Sequence, residues 1–190
     1  MATKNPILII ICGWAISGKG TVAKGVSDAL KIHWIDIDEV RTLNFGPPNP
    51  NPNASEDTKK KDNEEMKGSY YLLYSAIEQV FEMERSLIVT ATFSRIRYWK
   101  EILDAVNKHQ NYDLKVVWCV PKNDSNEEIS KRLAKRVFSV NSWSAVNSLD
   151  RYKEVKDRFK LPPIPYIEID TSPPNTPEKC VEQAVTYILS

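Results

Sequence analysis

The chain has 190 residues, with 26 Lys and Arg against 25 Asp and Glu and a net charge of +1, which excludes the global field expected of a nucleic-acid or membrane-surface binder. The length suits a single α/β domain over 1–190 with a full core, and no apolar run approaches the roughly 20 residues that a membrane span needs. Three scattered thiols, Cys12, Cys119 and Cys180, lack metal-ligand spacing, and no leader-like segment is visible, so a reducing, cytoplasmic setting is expected.

The first element is the apolar run Ile7-Leu8-Ile9-Ile10-Ile11-Cys12, read as a buried strand over 7–12. It leads directly into Gly13-Trp14-Ala15-Ile16-Ser17-Gly18-Lys19-Gly20-Thr21, after which Val22, Val26 and Leu30 share one face of a helix over 19–31. Strand, glycine-bounded loop and helix, in that order, are the context of a phosphate-binding P-loop. Backbone N–H groups between Gly13 and Thr21 ring a polyphosphate, Lys19 neutralises its outer phosphates, and the helix N-terminus faces the anion. The expected cofactor is a nucleoside triphosphate, ATP, with Mg2+. Gly20 stands where the usual pattern has Ser or Thr, so the metal must lean on water and on a carboxylate elsewhere.

A second strand over 33–37 ends in Asp36-Ile37-Asp38-Glu39-Val40-Arg41. In an open parallel sheet, ligands bind outside the carboxyl ends of the strands, here beside the P-loop. If the strand continues, Asp36 and Asp38 share a side, with Arg41 about one helical turn beyond. Phosphoryl transfer needs one carboxylate to accept a hydroxyl proton and another charge to hold the metal's waters. Asp38 either serves that chemistry or caps a short helix beginning near Glu39, and its place after a P-loop favours the chemistry. The segment 44–63, rich in Pro and Asn and then in charge, reads as a mobile loop on the acceptor side.

A helix over 64–84 carries the stripe Tyr70, Leu73, Tyr74, Ile77 and Phe81, read as core. There follow a strand over 86–92, a helix over 95–110, a strand over 114–120, helices over 127–140 and 149–160, a strand over 165–170 and a helix over 177–189. The alternation predicts a three-layer α/β fold with a five-stranded parallel sheet flanked by helices. Residues 122–160 hold ten Lys and Arg against six Asp and Glu. There Arg132 and Arg136 lie one turn apart on one helix face, placed to reach over ATP and stabilise charge on the moving phosphoryl group.

These motifs resemble those of the "predicted kinase" group of P-loop kinases with an AAA-type domain, related to polynucleotide 5'-kinases, zeta toxins, and gluconate and shikimate kinases. The resemblance runs from Ile7 to Ile188 and implies a P-loop NTPase fold with a helical lid over 122–160. It implies ATP-dependent transfer of the γ-phosphoryl group to a hydroxyl acceptor, a small molecule or a polynucleotide end. By that likeness Asp38 is the base, Arg41 its phosphate- or acceptor-holding partner, and Asp36 a Mg2+ holder. Arg132 and Arg136 are the lid arginines, and the loop from Thr171 to Pro174, with Thr171 and Pro173 as its nucleotide contacts, packs against adenine. The Gly-Lys-Gly-Thr order is similar to adenylate kinases and implies that Thr21 touches phosphate and metal; it keeps a nucleoside monophosphate kinase open as an alternative. Relatives usually carry an Asp in the third strand, where this chain has Thr90-Ala91-Thr92. That departure leaves a nucleotide-binding, toxin-like module with little turnover as a third reading. Arg95 and Arg97 follow at the mouth of that strand, either as contacts for an anionic acceptor or as surface arginines at a helix start. Neutral overall charge speaks against a nucleic-acid partner.

Overall fold

In a computed structural model of the chain, residues 5–49, 51, 54–109, 111–135, 146 and 148–190 are described. Strand β1 (Ile7–Cys12) is buried at every position, as an all-apolar strand in the middle of a two-sided sheet must be. Beside it lie β3 (Leu87–Ala91) and β4 (Asp113–Val120), with β2 (His33–Asp36) and β5 (Ile167–Asp170) at the edges. The order is β2-β3-β1-β4-β5, and every pairing is parallel.

The two faces of β1 divide the core. Ile7, Ile9 and Ile11 pack with α1 (Lys19–Leu30) and α7 (Pro177–Leu189) through Val22, Val26, Ala184 and Ile188. Leu8 and Ile10 face the other layer, where α3 (Glu56–Glu82) and α4 (Ile96–Lys108) bring Leu73, Ile77, Phe81 and Ile102. Cys12 and Cys119 are core thiols, and burial pushes Cys119 up to about 12, which keeps it protonated and unreactive. Among the described residues no helix is long and apolar enough to cross a membrane.

Most expected elements recur with ends shifted by a few residues. The strand expected to run to residue 37 stops at Asp36, because the chain turns there into α2 (Ile37–Phe45). The loop expected over 44–63 is shorter, since α2 extends to Phe45 and α3 starts at Glu56. Apolar periodicity is absent from the first turns of α3. Other forces hold them: Ser55 accepts from the Thr58 N–H at 3.2 Å, Glu56 and Asp57 complement the helix dipole, and Asp62 and Glu65 are tied to α2. In the expected lid region, α5 (Asn126–Ala134) and α6 (Leu149–Asp157) are present. The continuation of the first expected lid helix, with Arg136, lies outside the described residues.

Candidate active site

Gly13 leaves β1 with φ of 152°, and a Cβ there would lie 2.4 Å from the Cys119 carbonyl oxygen, so the loop closes only on glycine. Gly18 then takes the left-handed conformation, φ 82°, and α1 begins at the next residue without any side-chain cap. An uncapped helix start leaves its first N–H groups without partners and its positive dipole end open. Those groups border a cleft of about 430 Å3 outside the carboxyl ends of β1 and β2. Ile16, Gly18, Lys19, Gly20 and Thr21 line one wall. Asp36, Asp38 and Arg132, all expected from the sequence, line the rest together with Trp34, Glu39 and Lys135, for which no site role was expected.

The other P-loop positions sit beneath the cleft. Ser17 is fully buried; its N–H reaches the Trp14 carbonyl at 3.3 Å and its hydroxyl has no hydrogen-bond partner among the described residues. Ala15 is likewise buried. Trp14 turns away from the cleft, donates from Nε1 to the Tyr152 hydroxyl at 3.0 Å, and packs edge-on against Trp118 and Phe159. It therefore anchors the loop to α6.

At the end of β2 the carboxylate of Asp36, not of Asp38, caps α2: its Oδ1 accepts from the Asp38 N–H at 2.7 Å. Asp38 thus lies in the first helical turn, and the expectation that strand alternation aligns the two carboxylates is replaced by a cap that brings both to one cleft. Partial burial, and then the charge of Asp36, hold the Glu39 carboxyl above its usual value.

Arg41 does not join them. It is 2% exposed, and its guanidinium is held by Asp62 Oδ1 at 2.9 Å, Glu65 Oε2 at 2.8 Å and the Gly46 carbonyl at 3.2 Å. It fastens α2 to α3 and is absent from the cleft wall. The expected role in holding phosphate or acceptor passes away from this side chain. Arg41→Met should leave two partly exposed carboxylates facing each other and destabilise the fold by about 2–3 kcal/mol. That is a fall in melting temperature of about 5–10 °C for a chain of this size, readable by circular dichroism, with nucleotide affinity retained.

Arg132 lines the cleft and is also tied to the loops beneath it. Its Nε donates to Glu128, Nη1 to the Ile16 carbonyl at 3.3 Å, and Nη2 to the Thr171 carbonyl at 2.6 Å. Thr171 in turn donates from Oγ1 to the Ser17 carbonyl at 2.7 Å. Arginine and threonine together lock the P-loop to the β5–α7 loop, while Pro173 is exposed and outside the cleft wall. Asp170 steadies the same loop: burial works against its charge, yet hydrogen bonds from Ser172 and from the Lys122 N–H hold its carboxyl below the usual value. Arg95 is exposed, and Arg97 is engaged with the Tyr98 hydroxyl at 3.0 Å. Neither lines the cleft.

For Mg2+, Asp36 and Asp38 offer the hard oxygen donors that the ion prefers, while Thr21 supplies a hydroxyl on the P-loop side. Among the described residues no group of three or more His, Cys, Asp or Glu is arranged to hold a metal unaided. The donor set fits an ion that arrives with phosphates and keeps several waters.

A family model described as an AAA domain matches residues 8–162. No curated protein matches the chain significantly. Among solved structures, a presumed kinase from Chloroflexus aurantiacus j-10-fl is similar with a TM-score of 0.72 and 17% identity, over 99% of this chain and 98% of that one. A sugar kinase from Janibacter sp. HTCC2649 is similar with a TM-score of 0.63 and 18% identity, over 97% and 94% of the two chains. Kti12 of Chaetomium thermophilum in complex with ADP-AlF3 is similar with a TM-score of 0.64 and 15% identity, over 97% of each. At such identities the likeness is one of fold: a P-loop NTPase architecture with a five-stranded parallel sheet.

Proposed function

The chain belongs to the AAA-domain family, and from this membership together with the cleft we propose an ATP-dependent phosphotransferase that moves the γ-phosphoryl group to the hydroxyl of a small acceptor. One observation carries the reading: Lys19, the open start of α1 and the carboxylates of Asp36 and Asp38 share a single cleft. The kinase names among proteins of similar fold support it.

In this reading the N–H groups from Gly18 onward cradle the triphosphate, and Lys19 offsets charge on its outer oxygens. Asp38 accepts the proton of the acceptor hydroxyl as that oxygen bonds to the γ-phosphorus and the bond to the β–γ bridging oxygen breaks, releasing ADP. Mg2+ bound with ATP supplies neutralisation of the phosphates, and Asp36 and Thr21 are the residues that would hold it through water. Arg132 keeps the P-loop and the adenine-side loop in register. Arg136, expected beside it as a second lid arginine, remains part of the proposal.

The cations bear on the acceptor. A nucleoside monophosphate acceptor calls for several arginines at its phosphate, but Arg41 is enclosed by two carboxylates and Arg97 is engaged by Tyr98. Among the described residues, the cleft wall outside the P-loop holds Trp34, Asp36, Asp38 and Glu39 beside Arg132 and Lys135, and in this reading its three carboxylates suit an uncharged or cationic alcohol. A coupled ADP-release screen over sugars, nucleosides, nucleotides and short oligonucleotides tests this. ADP release above the water rate with an uncharged or cationic alcohol is expected. Acceleration by nucleoside monophosphates alone would replace the reading with the monophosphate one, and an absence of ATP binding would remove both.

A further inference from the structure

Register places Asp36 of β2 opposite Thr90 of β3, and Trp34, two residues earlier, projects from the same face of the sheet. The three side chains form a directed relay: Trp34 Nε1 donates to Thr90 Oγ1 at 2.9 Å, and Thr90 Oγ1 donates to Asp36 Oδ2 at 2.6 Å. The direction is forced. An indole nitrogen can only donate, so the Thr90 oxygen must accept from it, and the one proton of the hydroxyl is left for the carboxylate. Thr90 is fully buried, so no water competes for that proton. The other oxygen of Asp36 accepts from the Asp38 N–H. Both carboxylate oxygens are thereby gripped from within the protein, each with a further lone pair, and the carboxylate stands in the wall of the cleft.

We infer that Thr90 is a positioning residue for Asp36, with Trp34 fixing the direction of its hydroxyl. The relay stands in the part of β3 that reads Thr90-Ala91-Thr92 and offers no carboxylate. A hydroxyl there orients Asp36 without adding a second negative charge, so the carboxylate is presented to a phosphate-bound divalent cation as a fixed ligand for its water shell. This rests on the proposed reading of Asp36 as the carboxylate on the metal side. Groups that orient a metal's ligands usually matter by about 10–100-fold in metal affinity or activity.

The test is Mn2+ binding to the protein with ADP, read from the free-ion signal in electron paramagnetic resonance, which needs no knowledge of the acceptor. Thr90→Val should weaken Mn2+ by about 10-fold or more, and Thr90→Ser, which keeps the hydroxyl, should restore binding to within about threefold. Trp34→Phe leaves Thr90 in place but frees its rotor, so a smaller loss is expected, and this variant also serves if Thr90→Val folds poorly. Asp36→Asn should lose the contribution outright, and adding Thr90→Val to it should cost nothing further, since the threonine acts through that carboxylate. Wild-type Mn2+ affinity in both Thr90→Val and Trp34→Phe would overturn the relay, and so would additive losses in the double variant or a Thr90→Ser as weak as Thr90→Val. If Asp36→Asn itself leaves Mn2+ affinity unchanged, the metal-side reading of Asp36 fails and takes the relay with it. A loss in Asp36→Asn without one in Thr90→Val removes the relay alone.

Discussion

Replacing Lys19 by alanine is expected to lower ATP turnover by about 1000-fold, with a melting curve close to that of the wild type. The lysine opens α1 at the rim of the cleft and is not part of either apolar core cluster, so its removal leaves the packing untouched. Its cost falls on the transferring phosphates, where a preorganised cation in a partly water-excluded site acts on charge that builds up as the bridging bond breaks. A shortfall in rate with circular dichroism and melting preserved would place the lysine in the chemistry. Turnover equal to wild type would remove the P-loop assignment, because no other lysine or arginine among the described residues stands at the start of α1.

Asp38→Asn is expected to leave ATP affinity nearly intact and to cut the rate on the true acceptor by about 100-fold or more. The asparagine keeps shape and the hydrogen bond from its N–H to Asp36, so the cap of α2 survives while the proton-accepting charge is lost. If the acceptor were already anionic, as a monophosphate is, the substitution would act chiefly on acceptor binding, seen as a rise in KM with kcat little changed. Unchanged kcat and KM on the identified substrate would take Asp38 out of the mechanism. The result would also bear on Glu39, the neighbouring carboxyl held above its usual value, as the remaining candidate base.

Much of the scaffold was legible in the sequence. Strand β1 and helix α7 have the bounds their patterns imply, because an unbroken apolar run and a Thr176 cap followed by Pro177 are signals carried by adjacent residues. The P-loop was equally plain, since Gly13 and Gly18 are dictated by local backbone conformation and a single close approach. Helix α3 shows where such signals thin out. Its core stripe was readable, but its first turns, which lack that periodicity, rest on a cap and on ion pairs to Arg41 that no local pattern announces.

The site divides along the same line. Lys19, Asp36 and Asp38 were visible because short motifs place them at strand ends beside the loop. The fate of Arg41 was not, because its carboxylate partners stand 21 and 24 residues downstream on another helix. The same holds for Arg132, whose partners Ile16 and Thr171 are 116 and 39 residues away, and for Thr90, 54 residues from Asp36. Hydrophobic period, capping and glycine geometry act between neighbours and are written in the chain's order. Which charge is enclosed and which faces the cleft depends on sheet register and helix packing, and these arise only when distant segments meet.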